Sequence, residues 1–147
     1  MPCLTNIAIN RHTVKRFLDG THSVNPDHVD VIDKTVHASI VCHGFPGDPI
    51  TDHESYKAFF RTFRLAFSDM KWTLHALVAD EVYVSARWEI EVKHTGLFAG
   101  VEPDGRRVTF DGMVLYRMQD GLIAETWLHL NELRLLRGIG AIPAQAA

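Results

Sequence analysis

Cysteine is scarce in this chain of 147 residues, with only Cys3 and Cys42. Two cysteines are too few for a disulfide framework, and their positions match neither the spacing of a metal site nor a motif that marks a catalytic thiol. The scarcity of cysteine therefore predicts a reduced, cytoplasmic protein without structural disulfides.

Long apolar runs and basic patches are also missing. No stretch approaches the roughly 20 apolar residues that a membrane-spanning helix needs, and the N-terminal MPCLTNIAINRH lacks the pattern of a signal peptide. Lys and Arg total 15 against 18 for Asp and Glu, which gives a net charge of −3. We therefore expect neither a membrane nor a nucleic acid as a partner.

Histidine is abundant, with nine residues, yet these are scattered along the chain. None belongs to a His-x-His or HExxH pattern, so no metal site is predicted. The glycines between residues 95 and 107 do not join a strand to a helix, which leaves phosphate binding without support.

Apolar residues are plentiful, at 46% of the chain, which at this length indicates one globular domain over residues 1–147. Apolar periodicity and capping signals predict helices at 6–19, from 25, at 51–67 and at 132–139. Gly20 is the expected stop of the first helix, and Thr51 with Glu54 the expected capping box of the third. Period-two alternation predicts strands at 35–43, 71–78 and 82–94 and a hairpin at 106–131. This order predicts an α+β fold in which helices cover one face of an antiparallel sheet.

The hairpin at 106–131 turns at Gln119-Asp120-Gly121, where Asp-Gly is a strong turn signal. Residues two apart on a strand share a face, so its second strand presents two different surfaces. One surface is small and aliphatic, and the other carries Glu125, Trp127, His129 and Asn131. Because an indole is costly to expose, we expect the second surface to line a half-wet cavity.

Several motifs in the second half of the chain resemble the SnoaL-like polyketide cyclase family. They are His94-Thr95-Gly96-x-Phe98-x-Gly100, Pro103-x-Gly105-Arg106, Phe110-Asp111-Gly112, Asp120-Gly121-x-Ile123-x-Glu125-x-Trp127 and Leu135-Leu136-x-x-Ile139-Gly140. The resemblance implies the nuclear transport factor 2-like fold, in which a cone-shaped curved sheet, mixed or antiparallel, and about three helices from the N-terminal half enclose a pocket, commonly in a dimer. It also implies aldol ring closure on aromatic polyketides without a cofactor.

One position departs from the family pattern. The cyclases carry a general acid/base aspartate four residues after the strand tryptophan, and this chain has Asn131 there. An amide can orient a carbonyl but cannot shuttle a proton near pH 7. His129, on the same face, is then the first candidate base, the alternative being a surface histidine at a strand end. His43 is the second, since a loose alignment places it where related ketosteroid isomerases carry their catalytic aspartate.

Six further side chains are candidate ligand contacts: Trp127, His94, Tyr116, Val114, Trp88 and Phe17. The tryptophans and Tyr116 either contact the ligand or pack in the core. His94 either donates to the ligand or anchors the backbone of the loop that follows it. Phe17 and Val114 fall where ketosteroid isomerases carry the donors that hold an enolate, and neither can donate, so isomerase activity is not expected.

Two functions are consistent with these features. The first is acid/base chemistry resembling that of the polyketide cyclases, without a cofactor, on a small hydrophobic molecule. The second is non-catalytic binding of such a molecule by the same fold, which the absence of the aspartate favours. From the resemblance we also expect a homodimer, formed through the outer face of the sheet, where the strand at 82–94 carries the mixed charges of Arg87, Glu89, Glu91 and Lys93.

Overall fold

The computed structural model describes residues 2–143, and their side chains from Asn6 onward. The side chain of Cys3 lies outside that part. The helices are α1 Pro2–Thr21, a 3-10 helix Pro26–Val31, α2 Ile32–Thr35, α3 His53–Ala66 and α4 Glu132–Gly138. The strands are β1 Val36–His43, β2 Phe67–Ala79, β3 Tyr83–His94, β4 Arg107–Gln119 and β5 Leu122–Leu130.

The five strands form one sheet in the order β1-β5-β4-β3-β2. All neighbouring pairs are antiparallel except β1 and β5, which are parallel. The sheet is therefore mixed, and the predicted α+β class with helices packed against a curved sheet is confirmed. The parallel pair was not visible in the alternation pattern, because β1 lies beside a strand about 80 residues further along the chain.

The helix boundaries correct two of the sequence predictions. Helix α1 continues through Gly20 to Thr21, and a Cβ at Gly20 would lie 2.5 Å from Cγ1 of Val31. Gly20 thus permits close packing of the 3-10 helix rather than ending α1. In α3 the cap is Asp52, whose carboxylate accepts from the backbone N–H of Ser55 at 2.8 Å, while the hydroxyl of Ser55 accepts from the N–H of Asp52.

The predicted turn between β4 and β5 is confirmed. Asp120 and Gly121 have φ angles of 54° and 75°, which is the left-handed backbone that a two-residue hairpin of type I′ requires at both positions. The turn pairs Gln119 with Leu122, and a register shift between Arg117 and Met118 then places Val114 opposite Leu128 and Leu115 opposite Trp127.

The register decides which side chains face the helices. On β4, Val108, Phe110, Val114 and Tyr116 are buried on the inner face, whereas Met113 is 50% and Leu115 38% exposed on the other. Cross-strand partners share a face, so Leu128 and Thr126 of β5 point inward. Gly112 also lies on the inner face, where a Cβ would meet the indole of Trp88 at 2.5 Å. The missing side chain therefore leaves room for that indole.

Candidate functional site

A cavity of about 250 Å³ lies between the inner face of the sheet and helices α1, α3 and α4. Strands β3, β4 and β5 supply part of its wall through Trp88, Val114 and Leu128, among others. Loop residues 45–47 and 97–98 complete it. The cavity is thus built from segments distant in sequence, and the sheet register fixes which strand residues reach it.

Aromatic rings form much of the cavity wall. The ring of Phe17 packs against those of Tyr56, Phe60 and Tyr116, with centroids 5.3, 6.2 and 5.8 Å away. The indole of Trp88 meets Phe110 edge-on at 6.2 Å. Edge-to-face packing of this kind favours flat apolar partners, since a bound ring can make the same contacts.

Four of the predicted ligand contacts lie in this wall, namely Phe17, Trp88, Val114 and Tyr116. Phe17 comes from α1, Trp88 from β3 and the other two from β4. The structure therefore brings together residues that are up to about 100 positions apart.

Among the residues that the structure describes, none that lines the cavity carries a carboxylate, ammonium or guanidinium group. Burial raises the pKa of Tyr56 and of Tyr116, so both phenols are neutral at physiological pH. Among the lining residues, histidine is the remaining titratable type, and it is represented by His22. The cavity is consequently uncharged near neutral pH, with few polar groups to orient a ligand.

The imidazole of His22 is held on several sides. Its Nδ1 lies 3.0 Å from the carbonyl oxygen of Leu18 and 3.0 Å from the hydroxyl of Thr21. The ring stacks on the indole of Trp72 with centroids 3.8 Å apart and meets Phe60 edge-on at 5.6 Å. Burial lowers the pKa of His22 from 6.5 to about 4. The ring is therefore neutral at pH 7 and fixed in orientation.

The sequence reasoning missed His22, although a signal for it exists. Val14, Phe17 and Leu18 form an apolar stripe on α1, and His22 follows Leu18 by four residues. One more helical turn thus places the imidazole on the same side of the helix. The premature stop assigned to Gly20 hid this continuation.

His94 is 1% exposed but does not line the cavity. Its backbone N–H donates to the carbonyl of Arg106 at 2.8 Å, and its carbonyl accepts from the N–H of Gly105 at 3.0 Å. The ring lies 5.4 Å from that of Phe67, and its Nε2 has no hydrogen-bond partner among the described residues. Its position is that of a residue whose backbone closes the loop, the second of the two predicted alternatives.

The polar face of β5 points away from the cavity, contrary to the prediction. Leu128 and Leu130 are the lining residues of this strand, while Trp127 lies opposite Leu115 and His129 opposite Met113 on the outer face. A period of two defines two faces without saying which one is inside. Trp127 is nevertheless only partly exposed, because its ring stacks on that of His43 with the centroids 5.4 Å apart.

His43 belongs to a cluster of polar side chains on the same outer face. Its Nε2 lies 2.8 Å from one oxygen of Glu125, and the other oxygen accepts from Nε of Arg117 at 3.1 Å. These hydrogen bonds, from His43 first and Arg117 second, lower the pKa of Glu125. The cluster joins β1, β4 and β5, and the sheet separates it from the cavity.

Asn131 is exposed and caps α4. Its side-chain oxygen accepts from the backbone N–H of Arg134 at 3.2 Å, and its amide donates to a carboxylate oxygen of Asp111 at 3.1 Å. Arg134 also donates to Asp111 and to Glu89. The two donors, Arg134 first, lower the pKa of Asp111. Asn131 therefore has a structural role at a helix start and does not line the cavity.

Among the side chains that the structure describes, from Asn6 to residue 143, no group of three or more histidine, cysteine or acidic residues is arranged to hold a metal ion. Over residues 2–143, none of the helices has the length and hydropathy required to cross a membrane.

Comparison with solved structures finds many relatives. A proposed SnoaL-like polyketide cyclase from Jannaschia sp. CCS1 has a TM-score of 0.82 at 20% identity, over 92% of this chain and 94% of its own. AclR, a proposed hydroxylase from Streptomyces galilaeus, has a TM-score of 0.79 at 23% identity, over 95% and 86%. IdmH, a proposed polyketide cyclase from Streptomyces antibioticus, has a TM-score of 0.74 at 23% identity, over 89% and 98%. At these identities the likeness shows the fold.

The sequence itself gives the more specific assignment. No curated protein matches it. Residues 12–139, however, match the sequence model of the SnoaL-like polyketide cyclase family. This range includes all five strands and the residues of the cavity wall. The chain therefore belongs to the SnoaL-like polyketide cyclase family.

Proposed function

We propose that the protein binds a small, largely aromatic hydrophobic molecule in the cavity that Trp88 and Val114 help to line. The observation that supports this most strongly is the wall itself, which is apolar, rich in aromatic rings and free of charged groups. Burying flat apolar surface against such a wall contributes roughly 25 cal/mol for each Å² removed from water. A ring system of about two fused rings suits the volume of about 250 Å³.

We further propose that the bound molecule undergoes proton transfer of the kind that leads to aldol ring closure, without a cofactor. In that reaction a base removes a proton from a carbon beside a carbonyl, the enolate attacks a second carbonyl, and the new alkoxide takes up a proton. Family membership supports this class of reaction. A general base must lie within hydrogen-bond reach of the carbon acid or one water away, so it must come from the cavity wall. His129, His43 and Asn131 lie across the sheet from it, and we assign them no part in the transfer.

Non-catalytic binding is the second candidate function. It is favoured by one observation, namely that no carboxylate lines the cavity, whereas the cyclases use an aspartate as their acid/base group. Both functions require the same pocket, so they differ in turnover and not in the place of binding.

Binding is tested by equilibrium dialysis with 2-methoxynaphthalene, a neutral two-ring probe. Val114→Phe adds a ring inside the cavity, and Met113→Phe makes the same chemical change one residue away on the outer face. We expect Val114→Phe to weaken binding at least about tenfold, because the added ring occupies the site, and Met113→Phe to leave it unchanged. If the native protein does not bind the probe, or if both variants bind it equally well, the cavity is not the site.

Catalysis is tested with benzoylacetone, an aromatic 1,3-diketone with an acidic carbon between its two carbonyls. Exchange of that proton for deuterium is followed by NMR. An enzyme should accelerate the exchange by about 10²–10⁴ over buffer, the usual range for general-base catalysis, and Val114→Phe should abolish the acceleration. Binding of benzoylacetone with exchange at the buffer rate would instead support the non-catalytic function.

A further inference from the structure

His22 is the one titratable side chain in the described wall of the cavity whose ordinary pKa lies near neutrality. Its two ring nitrogens have different surroundings. Nδ1 lies 3.0 Å from the carbonyl oxygen of Leu18, and a carbonyl can only accept a hydrogen bond. Nδ1 therefore carries the proton in the neutral ring, and Nε2, on the opposite side, has a free lone pair.

The ring cannot easily turn to exchange these roles. It is stacked on Trp72 at 3.8 Å, meets Phe60 edge-on and lies 6.4 Å from the indole of Trp88. The backbone beside it is also fixed, because the guanidinium of Arg64 donates to the carbonyl oxygens of Thr21 and Ser23 at 3.3 and 2.7 Å. The direction of the lone pair is thus set by the fold before any ligand enters.

Nε2 forms no hydrogen bond with any described residue, while Nδ1 has two partners. An acceptor in an apolar wall is costly to cover with a ligand that offers no donor, since the acceptor then loses its hydrogen bond to water without a replacement. A ligand hydroxyl removes that cost. A carboxylate does not, because it has no proton to give and the wall has no cation to pair with it.

We propose that Nε2 of His22 is the polar anchor of the cavity, accepting a hydrogen bond from a phenol or enol hydroxyl of the bound molecule. The ligands selected in this way are neutral hydroxylated aromatic rings or enolised ketones. Matching compounds without a donor bind less tightly, and anionic ones bind least tightly. This inference rests on the proposed binding function and gives the chemical class of its ligand.

The position of Nε2 also suits the proton transfer of the proposed aldol ring closure. A ketone that binds with its α-carbon at Nε2, in place of the enol hydroxyl, offers the same lone pair the proton that enolisation removes. Neutral Nε2 takes up the proton and becomes N–H while the electron pair of the C–H bond becomes the enolate. The proton returns from Nε2 to the alkoxide after the new carbon–carbon bond has formed, so the ring ends in its starting state.

Three probes of one size test the inference by equilibrium dialysis at pH 7: 2-naphthol, 2-methoxynaphthalene and 2-naphthoate. We expect the native protein to bind 2-naphthol about tenfold more tightly than 2-methoxynaphthalene, which is the usual net effect of one buried hydrogen bond. We expect 2-naphthoate to bind more weakly than either neutral compound. In His22→Phe the two neutral probes should bind equally, because the aromatic stack remains and the acceptor is gone.

Two further variants serve as controls. His22→Gln places a carbonyl oxygen near the position of Nε2 and should restore part of the preference for 2-naphthol. His75→Phe changes an exposed histidine on β2 and should leave the preference unchanged.

The outcomes separate the two proposals. If 2-methoxynaphthalene binds but 2-naphthol binds no more tightly, or if His22→Phe keeps the preference, the anchoring role of His22 is wrong and the binding cavity stands. If neither neutral probe binds the native protein, the binding cavity itself is wrong, and the role of His22 is refuted with it.

Discussion

Acid should destabilise this protein through His22, and the effect can be estimated from the structure. In the native state burial lowers the pKa of His22 to about 4, whereas the unfolded chain keeps the ordinary value of 6.5. Between these two values the unfolded state binds a proton that the native state does not. Stability is thus fully present above pH 6.5 and is lost as the pH falls toward 4.

Burial is the largest influence on the pKa of His22 and sets its direction. The hydrogen bond to the carbonyl of Leu18 and the carboxylate of Asp19 on α1 raise this pKa, whereas the positive charge of Arg64 on α3 lowers it further. Strands β2 and β3 present Trp72 and Trp88, which do not titrate. The difference between the native and unfolded pKa values predicts that the free energy of unfolding falls by about 2 kcal/mol between pH 7 and pH 5. Because the ring is not fully enclosed, we expect a measured loss of about 1–2 kcal/mol.

The assay compares urea denaturation of the native protein and of His22→Phe at both pH values. The rest of the chain is identical in the two proteins, so its contribution cancels in the double difference. Phenylalanine keeps the stack on Trp72, and the carbonyl of Leu18 keeps its bond from the backbone N–H of residue 22. If the two proteins lose the same free energy of unfolding from pH 7 to pH 5, His22 is not held neutral by burial and the reasoning fails.

Three other predictions concern the frame around the site. Gly112→Ala should cost about 1–3 kcal/mol in urea denaturation, because its Cβ would lie 2.5 Å from the indole of Trp88; an unchanged midpoint would contradict this packing. Asn131→Ala should cost about 0.5–2 kcal/mol through loss of the α4 cap, with Asn131→Ser, which keeps a cap oxygen and adds no charge beside Asp111, restoring most of it; equal stability of all three proteins would exclude the cap. We expect light scattering to find a homodimer that Leu115→Glu, on the outer face, converts to a monomer; a monomeric native protein would refute the dimer.

Local signals predicted the local parts of the fold. The turn at Asp120 and Gly121 was predictable because the required backbone angles are intrinsic to that residue pair. The capping box of α3 was placed one residue early, since Thr51 and Asp52 are adjacent and both residue types favour the cap position. Such errors move a boundary without changing the fold.

Long-range packing decided what the sequence pattern left open. Alternation along β5 separates Trp127 from Leu128 but cannot say which one meets the helices, and the indole was assigned to the wrong side. The outer position of Trp127 follows from the register shift between Arg117 and Met118, and its stack on His43 requires the parallel pairing of β1 with β5. His22 likewise acquires its surroundings from β2 and β3, at least 50 residues away. Four of the nine residues predicted for the site therefore line the cavity, and His22, its histidine, was not among those predicted.

The central claim, that ligands bind on the inner face of the sheet, is tested most directly by nuclear Overhauser effects between 2-naphthol and the methyl groups of the hairpin. Val114 and Leu128 carry methyls on the cavity side, and Leu115, the immediate neighbour of Val114, carries methyls on the outer side. We predict strong effects to Val114 and Leu128 and none to Leu115. Effects to Leu115 and to the indole of Trp127, with none to Val114, would place the ligand on the outer face and contradict the account.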